Sequence, residues 1–522
     1  MNRSIADIVL VAETDDPLAP PPGRGEVHDQ YFAEPLQLIR PSHPMRPPHP
    51  HMLGLVSLAT WLKHQGCTVE AFDNLFTIPS SREGFLSALD RGPRAVGIST
   101  TFMRSTASIA KITQYARERC PQALLILGGM SAERRPEVRA LGDVTVCGLG
   151  ERTLSDIMSC MKEGTDWRRL PNLIYSQDGR EIRTAREENF ALEERPNPDW
   201  DALPVRPSQL FAVQASTGCR YRCAYCDSPD LGRQDRPWSS AAVAAVRDAH
   251  DRFGAKLFRF TDSVFTSWPE ETEALCRALA AENLPIEWSC NARVDNLADR
   301  PSLASAMYSA GCRWVSFGIE SGSDEILLSM KKGVDRKAIL EGHRIAREAG
   351  LGIADSFIVG LPGETTMTVD ESLEVAEICR PDTAIFFIWC LQESRASDIS
   401  RRPGHYGVEG FLTRWSHATM DSEEARRQVR RCYEEVTLRM ESPLLGPLPF
   451  TLRGFGSTEA EIWAYLQGFR DYYRAKLKND AAGVQSALEA IRLRRERLCQ
   501  GYEADGWRDA SMIQDKCKGE GS

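Results

Sequence analysis

Apolar residues in this chain fall into short continuous runs that alternate with stretches of helical spacing. Residues 7–12 (DIVLVA) have strand length, and residues 53–64 place apolar side chains three and four apart, as one face of a helix does. Residues 68–73 read as a second strand, followed by a polar turn and a helix around 85–89. Runs at 95–99 (AVGIS), 123–127 (ALLIL) and 144–147 bring the strands to about five. This alternation predicts an α/β class domain with a doubly wound, parallel, Rossmann-like sheet over residues 1–165. Residues 166–205 read as a linker, with a short hairpin in DWRRLPNLIYSQDGREI and then the proline-rich ERPNPDWDALP. A second alternating series follows, with strands expected at 211–214, 257–261, 286–291, 314–319, 352–359 and 384–389. Its helices include 240–252, opened by WSS and ended by Gly254. Six strand–helix units predict a partial (β/α)6 barrel over 206–395. Beyond it the alternation stops, and 396–522 reads as a mostly helical C-terminal region. There Asp421 suits a helix N-cap, YLQGFRDYYRAKL packs a core, and the final KCKGEGS is expected to be disordered.

Composition narrows the class. A length of 522 residues suits about three domains. No apolar run approaches the roughly 20 residues of a membrane span, so no membrane partner is expected. The start, MNRSIADIVLVAETDD, turns acidic too soon for a secretory signal. A net charge of −9 argues against a nucleic-acid groove, and IRLRRERL reads as one solvated helix face. The 15 cysteines are scattered, without the dense framework of a small secreted fold, so a cytoplasmic location is expected.

The chemistry concentrates in GCRYRCAYCDSP, where Cys219, Cys223 and Cys226 follow the spacing Cx3Cx2C. An iron–sulfur cube takes four cysteines, so three leave one iron open to a small molecule. A structural zinc is the alternative, although zinc prefers four closed ligands. Tyr225 before the last cysteine fits the aromatic found there in radical S-adenosylmethionine (SAM) enzymes, and the loop resembles the cluster-binding loop of that superfamily. Four further segments fall at expected strand ends: FRFTDSVFT (258–266), SCNARVD (289–295), FGIESGSDEIL (317–327) and FIVGLPGET (357–365). Together they resemble the motifs of the radical SAM subgroup that couples to cobalamin and includes the methylthiotransferases. The resemblance implies a [4Fe-4S] cluster on the three cysteines, which serve both as metal ligands and as catalytic residues. It also implies that Glu320 binds the SAM ribose, with a salt bridge to a neighbouring Arg as its alternative role, and that Ser321 lines the SAM pocket. Arg293 would anchor the methionine carboxylate or a substrate acid. Gly360, Pro362 and Gly363 would shape the turn beneath adenine. Asp262 suits a contact to substrate or cobalamin, or a helix cap.

The first domain resembles the cobalamin-binding domain of such enzymes. Its ligand edge lies at the carboxyl ends of the strands, in GISTTFM (97–103), GGM (128–130) and GLGERT (148–153). Ser99, Thr100, Thr101, Gly128, Gly129, Gly148, Gly150 and Glu151 are therefore the expected cobalamin-binding positions. The Asp-x-His-x-x-Gly motif that ligates cobalt in many B12 proteins is absent, since NLFTIPSS follows Asp73. Cobalamin without histidine ligation is expected. The proline-rich stretch 14–50 and His51 carry His43, His49, Arg40 and Arg46. They are read as a wall of the cobalamin site, with Arg40 or Arg46 covering cobalt, in preference to a zinc cluster. The resemblance implies a C-methyltransferase for an unactivated carbon of a small specialised metabolite, such as an antibiotic precursor, with flavodoxin or ferredoxin as electron donor. A cyclisation or rearrangement without methyl transfer is the alternative within the family, and a cobalamin sensor the alternative outside it. His417 and Trp389 are candidate substrate contacts, with a structural role the stronger reading.

Overall fold

The computed structural model describes residues 5–14, 52–103, 105–187, 195–203, 208–227, 239–391, 397–439, 448–454 and 456–499. The expectations for the proline-rich histidine stretch and for the final KCKGEGS lie outside the described residues. The chain divides into two compact units, one holding the described residues up to Ser208 and the other those from Gln209 onward.

The first unit is built on β1 (Ile8–Ala12), β2 (Val69–Asp73), β3 (Ala95–Ser99), β4 (Leu124–Gly128) and β5 (Val144–Val146), with helices between successive strands. These five strands are parallel in the order β2-β1-β3-β4-β5. β1 is buried on both faces, as a fully apolar strand at the centre of a helix-covered sheet must be. The hairpin expected in the linker forms as β6 (Leu173–Gln177) and β7 (Arg180–Arg183). It does not stand apart from the sheet. β6 pairs antiparallel with β5, so the sheet has seven strands. Thr145, Ile174 and Leu173 give that junction a buried face, a tertiary gain that the polar linker sequence does not advertise.

The second unit carries six parallel strands in sequence order: β8 (Leu210–Val213), β9 (Leu257–Phe260), β10 (Glu287–Ala292), β11 (Cys312–Glu320), β12 (Gly352–Val359) and β13 (Thr383–Ile388). A helix follows each strand from β8 to β12, as right-handed parallel crossovers require. On β11 the residues Val315, Phe317 and Ile319 are fully buried beneath the helices, while Trp314, Ser316, Gly318 and Glu320 keep exposure on the opposite face. His343 and Asp355 tie the helix Arg336–Glu348 to β12 through a buried pair at 2.8 Å. At the amino-terminal end, Trp463 from the helix Glu459–Leu477 sits 6.1 Å from Trp314, and Arg453 pairs with Glu287.

The C-terminal region departs from its mostly helical expectation at one place. Residues Glu409–Phe411, Arg414–His417 and Met420–Asp421 form a small antiparallel sheet, β14–β16. Asp421 then accepts the Glu424 amide at 2.7 Å and caps the helix Ser422–Arg439, as its sequence position predicts.

Candidate active site

The cysteine loop leaves the carboxyl end of β8. None of its three cysteines is in a disulfide, and Cys219 and Cys223 are buried and Cys226 half-buried. Other elements fix its backbone. The Ala224 amide donates to the Met330 carbonyl at 2.8 Å, and the Ala224 carbonyl accepts the Ser397 hydroxyl at 2.9 Å and the Ile399 amide at 3.0 Å. Asp262, at the end of β9, accepts the Ser216 hydroxyl at 2.6 Å and the Ala215 amide at 3.0 Å, bracing the segment that leads into the loop. Neither a helix cap nor an open contact describes it: the carboxylate is 1% exposed and burial pushes it up to about 6.

Cations back the same loop. The Arg293 guanidinium lies 4.0 Å from the centre of the Tyr221 ring, grips Asp295 through two nitrogens at 2.9 Å, and donates to the Lys332 carbonyl at 2.8 Å. Its Nε and Nη2 are thus engaged within the chain, in a position that supports the loop. Lys332, which the motifs do not single out, extends its ammonium to Glu320 at 3.3 Å. Burial pushes the Cys219 thiol up and the neighbouring Cys223 adds to this, while Arg293 and Lys332 pull it down. Tyr225 is pushed well above its usual range by burial first and then by Glu320, Cys223 and Cys226. These couplings place the GIESGS turn and the cysteine loop against one another. The net effect on Cys219 is upward, so a thiolate there needs the metal itself to displace the proton. Among the described residues no group of three His, Cys, Asp or Glu side chains, the three cysteines included, is drawn together around a single point.

Glu320 ends β11 at φ 70°, after a register shift against β12 between Gly318 and Glu320. A left-handed glutamate costs of order 1–3 kcal/mol and persists only where its surroundings hold it. Ser321 sits behind the turn: it is fully buried, its hydroxyl is 3.4 Å from that of Ser372, and it accepts the Ser323 amide at 3.2 Å. The neighbouring Gly322 leaves no room for a Cβ against the Glu371 carbonyl, which pins the turn to the helix Thr366–Cys379 and turns Ser321 inward.

Across β12, Gly360 (φ +99°) and Gly363 (φ +92°) form the next turn. A Cβ on Gly360 would collide with Trp415, whose indole donates to the Trp389 carbonyl at 3.0 Å and stacks on His417. His417 faces the Gly360 carbonyl at 3.3 Å, so the small C-terminal sheet seats on this turn. Glu364 holds the turn from beneath by accepting the Gly360 and Leu361 amides. Burial pushes its carboxyl up to about 8, against the pull of those two amides. A folded pKa above the unfolded one means that the neutral acid contributes stability at low pH, and that this contribution fades as pH rises from 4.5 through 8. Glu364→Gln should therefore flatten the fall of the urea midpoint across that window. Glu13, which follows β1 and which burial pushes up to about 8, and Asp262 share the sign and leave part of the slope. A variant curve parallel to the wild type would refute the assignment.

In the first unit the carboxyl edge is a row of small residues, part of which is spent internally. Thr100 donates to the Gly128 carbonyl at 2.8 Å and accepts the Ala132 amide at 2.9 Å, and it is fully buried. Glu151 is buried against Arg195. Ser99 and Thr101 remain half-buried with their hydroxyls 3.5 Å apart, next to Phe102, which is 60% exposed. Gly129 (φ +91°) packs so closely on Thr101 that a Cβ would clash, and Gly148 holds φ +76° with its amide 3.2 Å from Glu133. Gly150 caps the helix Glu151–Glu163. After β2 the chain turns through left-handed Asn74, and Glu13 at the end of β1 accepts the Leu75 and Phe76 amides. This carboxylate clamp, missed from the sequence, orders the loop in which a cobalt-binding histidine is lacking. Small residues and positive-φ glycines at this edge form the kind of cradle that a large flat ligand needs.

Comparison with known proteins agrees with both halves. Residues 213–376 match the radical SAM superfamily model and residues 47–158 the B12 binding domain model. An uncharacterized methyltransferase of Pyrococcus horikoshii is 28% identical over 57% of this chain and 66% of its own length. An anaerobic magnesium-protoporphyrin IX monomethyl ester cyclase of Cereibacter sphaeroides is 26% identical over 55% of this chain and 50% of its own. The chain thus spans between half and two thirds of these relatives. In fold, it is similar to TsrM from Kitasatospora setae solved with cobalamin and a [4Fe-4S] cluster (TM-score 0.63, 16% identity, 95% of this chain and 100% of that one). The cobalamin-dependent enzyme OxsB gives the same TM-score at 15% identity, covering 98% of this chain and 83% of its own. Among the described residues no helix is long and apolar enough to cross a membrane. With a B12-binding domain and a radical SAM domain in one chain, the protein belongs to the cobalamin-dependent radical SAM family, whose cofactors are a [4Fe-4S] cluster, SAM and cobalamin.

Proposed function

We propose that this protein is a radical SAM C-methyltransferase that places a methyl group on an unactivated carbon of a small metabolite. The observation that carries the reading is the joining of a three-cysteine loop, backed by Lys332 and Arg293, to a unit with a small-residue ligand edge. When bound, the cluster supplies an electron that splits SAM into a hydrogen-abstracting radical, and cobalamin carries the methyl group. The protein's own work is positional. Cys219, Cys223 and Cys226 would hold the cluster, leaving one iron for SAM. Arg293, Asp262 and the Ser397 hydroxyl keep the loop in place. Glu320 offers a carboxylate to the vicinal ribose hydroxyls of SAM, with Lys332 holding it there. The turn from Gly360 to Gly363 gives SAM a backbone surface, kept rigid by Glu364. Ser99, Thr101, Gly128, Gly129 and Gly148 border cobalamin, which would bind without a histidine. A flavodoxin- or ferredoxin-like protein in the cytoplasm is the proposed electron donor.

A second reading, cyclisation or rearrangement without methyl transfer, is favoured by the similarity to the cyclase. The two separate in one experiment: anaerobic reconstitution with SAM, reductant and candidate substrates. Methyl transfer predicts S-adenosylhomocysteine together with 5′-deoxyadenosine and a product one methyl group heavier. 5′-Deoxyadenosine with an isomerised or cyclised, unmethylated product would overturn it in favour of the second reading.

A further inference from the structure

The inner face of the barrel sheet is not packed shut. Inward-facing positions keep exposure on four successive strands: Arg259 on β9, Asn291 on β10, Ser316 and Gly318 on β11, and Ser356 and Ile358 on β12. Their outward-facing neighbours Phe258, Cys290, Phe317 and Phe357 are fully buried. The alternation outlines an accessible interior lined mainly by small polar side chains, a wall more polar than that of a filled barrel core.

Arg259 is the one cation among these inward residues. One terminal nitrogen donates to the Asn291 side-chain Oδ1 at 2.6 Å and the other to the Ser289 hydroxyl at 3.3 Å. Among the described residues no carboxylate pairs with it, in contrast to Arg293, Arg300 and Arg313 nearby in sequence. Two neutral acceptors satisfy part of a five-donor guanidinium and none of its charge. Desolvating a cation is costly, and the partial burial of this one lowers its proton affinity. The side chain nevertheless stays charged, because arginine does not lose its proton in proteins. The guanidinium has the planar fork geometry that matches an oxyanion.

We infer that Arg259 is the anion-recognising residue of the substrate site, and that the substrate carries a carboxylate or a phosphonate-like oxyanion that enters the barrel. Asn291 and Ser289 orient the guanidinium, and the small side chains of Ser316, Gly318 and Ser356 leave space for the rest of the molecule. This rests on the reading of the second unit as a substrate-processing barrel.

The test uses fluorinated probes small enough that only the anionic group discriminates: trifluoroacetate, trifluoromethylphosphonate and trifluoroacetamide. Saturable broadening of the probe's fluorine resonance is followed on the anaerobically reconstituted full chain. The anions, or one of them, should bind at least about tenfold more tightly than the amide, and the stronger anion identifies the oxyanion class. Arg259→Met should remove that preference and Arg259→Lys should keep part of it. Ser316→Leu, which fills the interior and leaves Arg259 intact, should weaken binding as well, and serves if Arg259→Met does not fold. Equal binding of anion and amide to the wild type, an undiminished anion preference in a folded Arg259→Met chain, or undiminished anion binding in a folded Ser316→Leu chain would overturn the inference. Substrate-free SAM cleavage on the same wild-type preparation separates the two readings. Cleavage without anion preference defeats the anion site alone. Anion preference without cleavage defeats the enzyme reading alone.

Discussion

Cys223→Ala is expected to abolish SAM cleavage and iron–sulfur absorbance while cobalamin uptake stays at the wild-type level. Cys223 is the middle cysteine of the loop and 8% exposed, and two thiolates could not hold a cube that needs at least three protein anchors when the fourth iron is open. The loss should be complete, because no side chain substitutes for the electron delivered by the cluster. Cobalamin uptake is the control, since its cradle belongs to the other compact unit. Measuring iron, cobalamin absorbance and 5′-deoxyadenosine on one preparation reads all three. Retained cleavage would break the cluster assignment.

Lys332→Met carries the next largest expected effect. Its ammonium and the Glu320 carboxylate are 8% and 15% exposed and 3.3 Å apart. Removing one member of a buried pair strands the other, at a cost of about 3–5 kcal/mol. Here Glu320 would be left with a negative charge facing Tyr225 and the cysteines, in a left-handed backbone conformation that already stores strain. We expect a fall of about 3 kcal/mol in unfolding free energy by urea titration, and SAM binding weakened at least tenfold by equilibrium dialysis. The double variant Lys332→Met/Glu320→Gln should recover much of the stability, since no lone charge remains, but not the SAM affinity, since the ribose clamp is gone. Recovery of both would reduce Glu320 to a structural ion pair, and a single variant with unchanged stability would show that the pair is solvated.

Where a pattern repeats along the chain, the sequence was readable. The six barrel strands and the five parallel strands of the first sheet fall within a few residues of the apolar runs that predict them, because buried strands need such runs whatever surrounds them. β14–β16 were not readable. They are two to four residues long and largely exposed, and seating on Gly360 is what organises them. The linker hairpin was visible as a hairpin, but its pairing with β5 depends on a neighbour remote in pattern. The same limit separates motif from role. Ser99, Thr100 and Thr101 look alike in sequence, yet Thr100 is consumed by the Gly128 carbonyl and the Ala132 amide. Glu151 belongs to Arg195, Ser321 to the back of its turn, and the Arg293 fork to Asp295. Lys332 and Arg259 lie outside or between recognised motif positions, and only three-dimensional neighbours give them meaning. Arg259 lies within FRFTDSVFT, but nothing along the chain reveals that, among the described residues, its side-chain partners are the neutral Asn291 and Ser289.

The central claim is that one chain joins radical generation to cobalamin. The most direct test is anaerobic reconstitution with iron, sulfide, SAM and cobalamin, followed by assay of metal and cofactor per chain and of substrate-free SAM cleavage. The account predicts one [4Fe-4S] cluster and one cobalamin held together, with reductant-dependent release of 5′-deoxyadenosine. A preparation that takes up cobalamin but neither assembles a cluster nor cleaves SAM would contradict it.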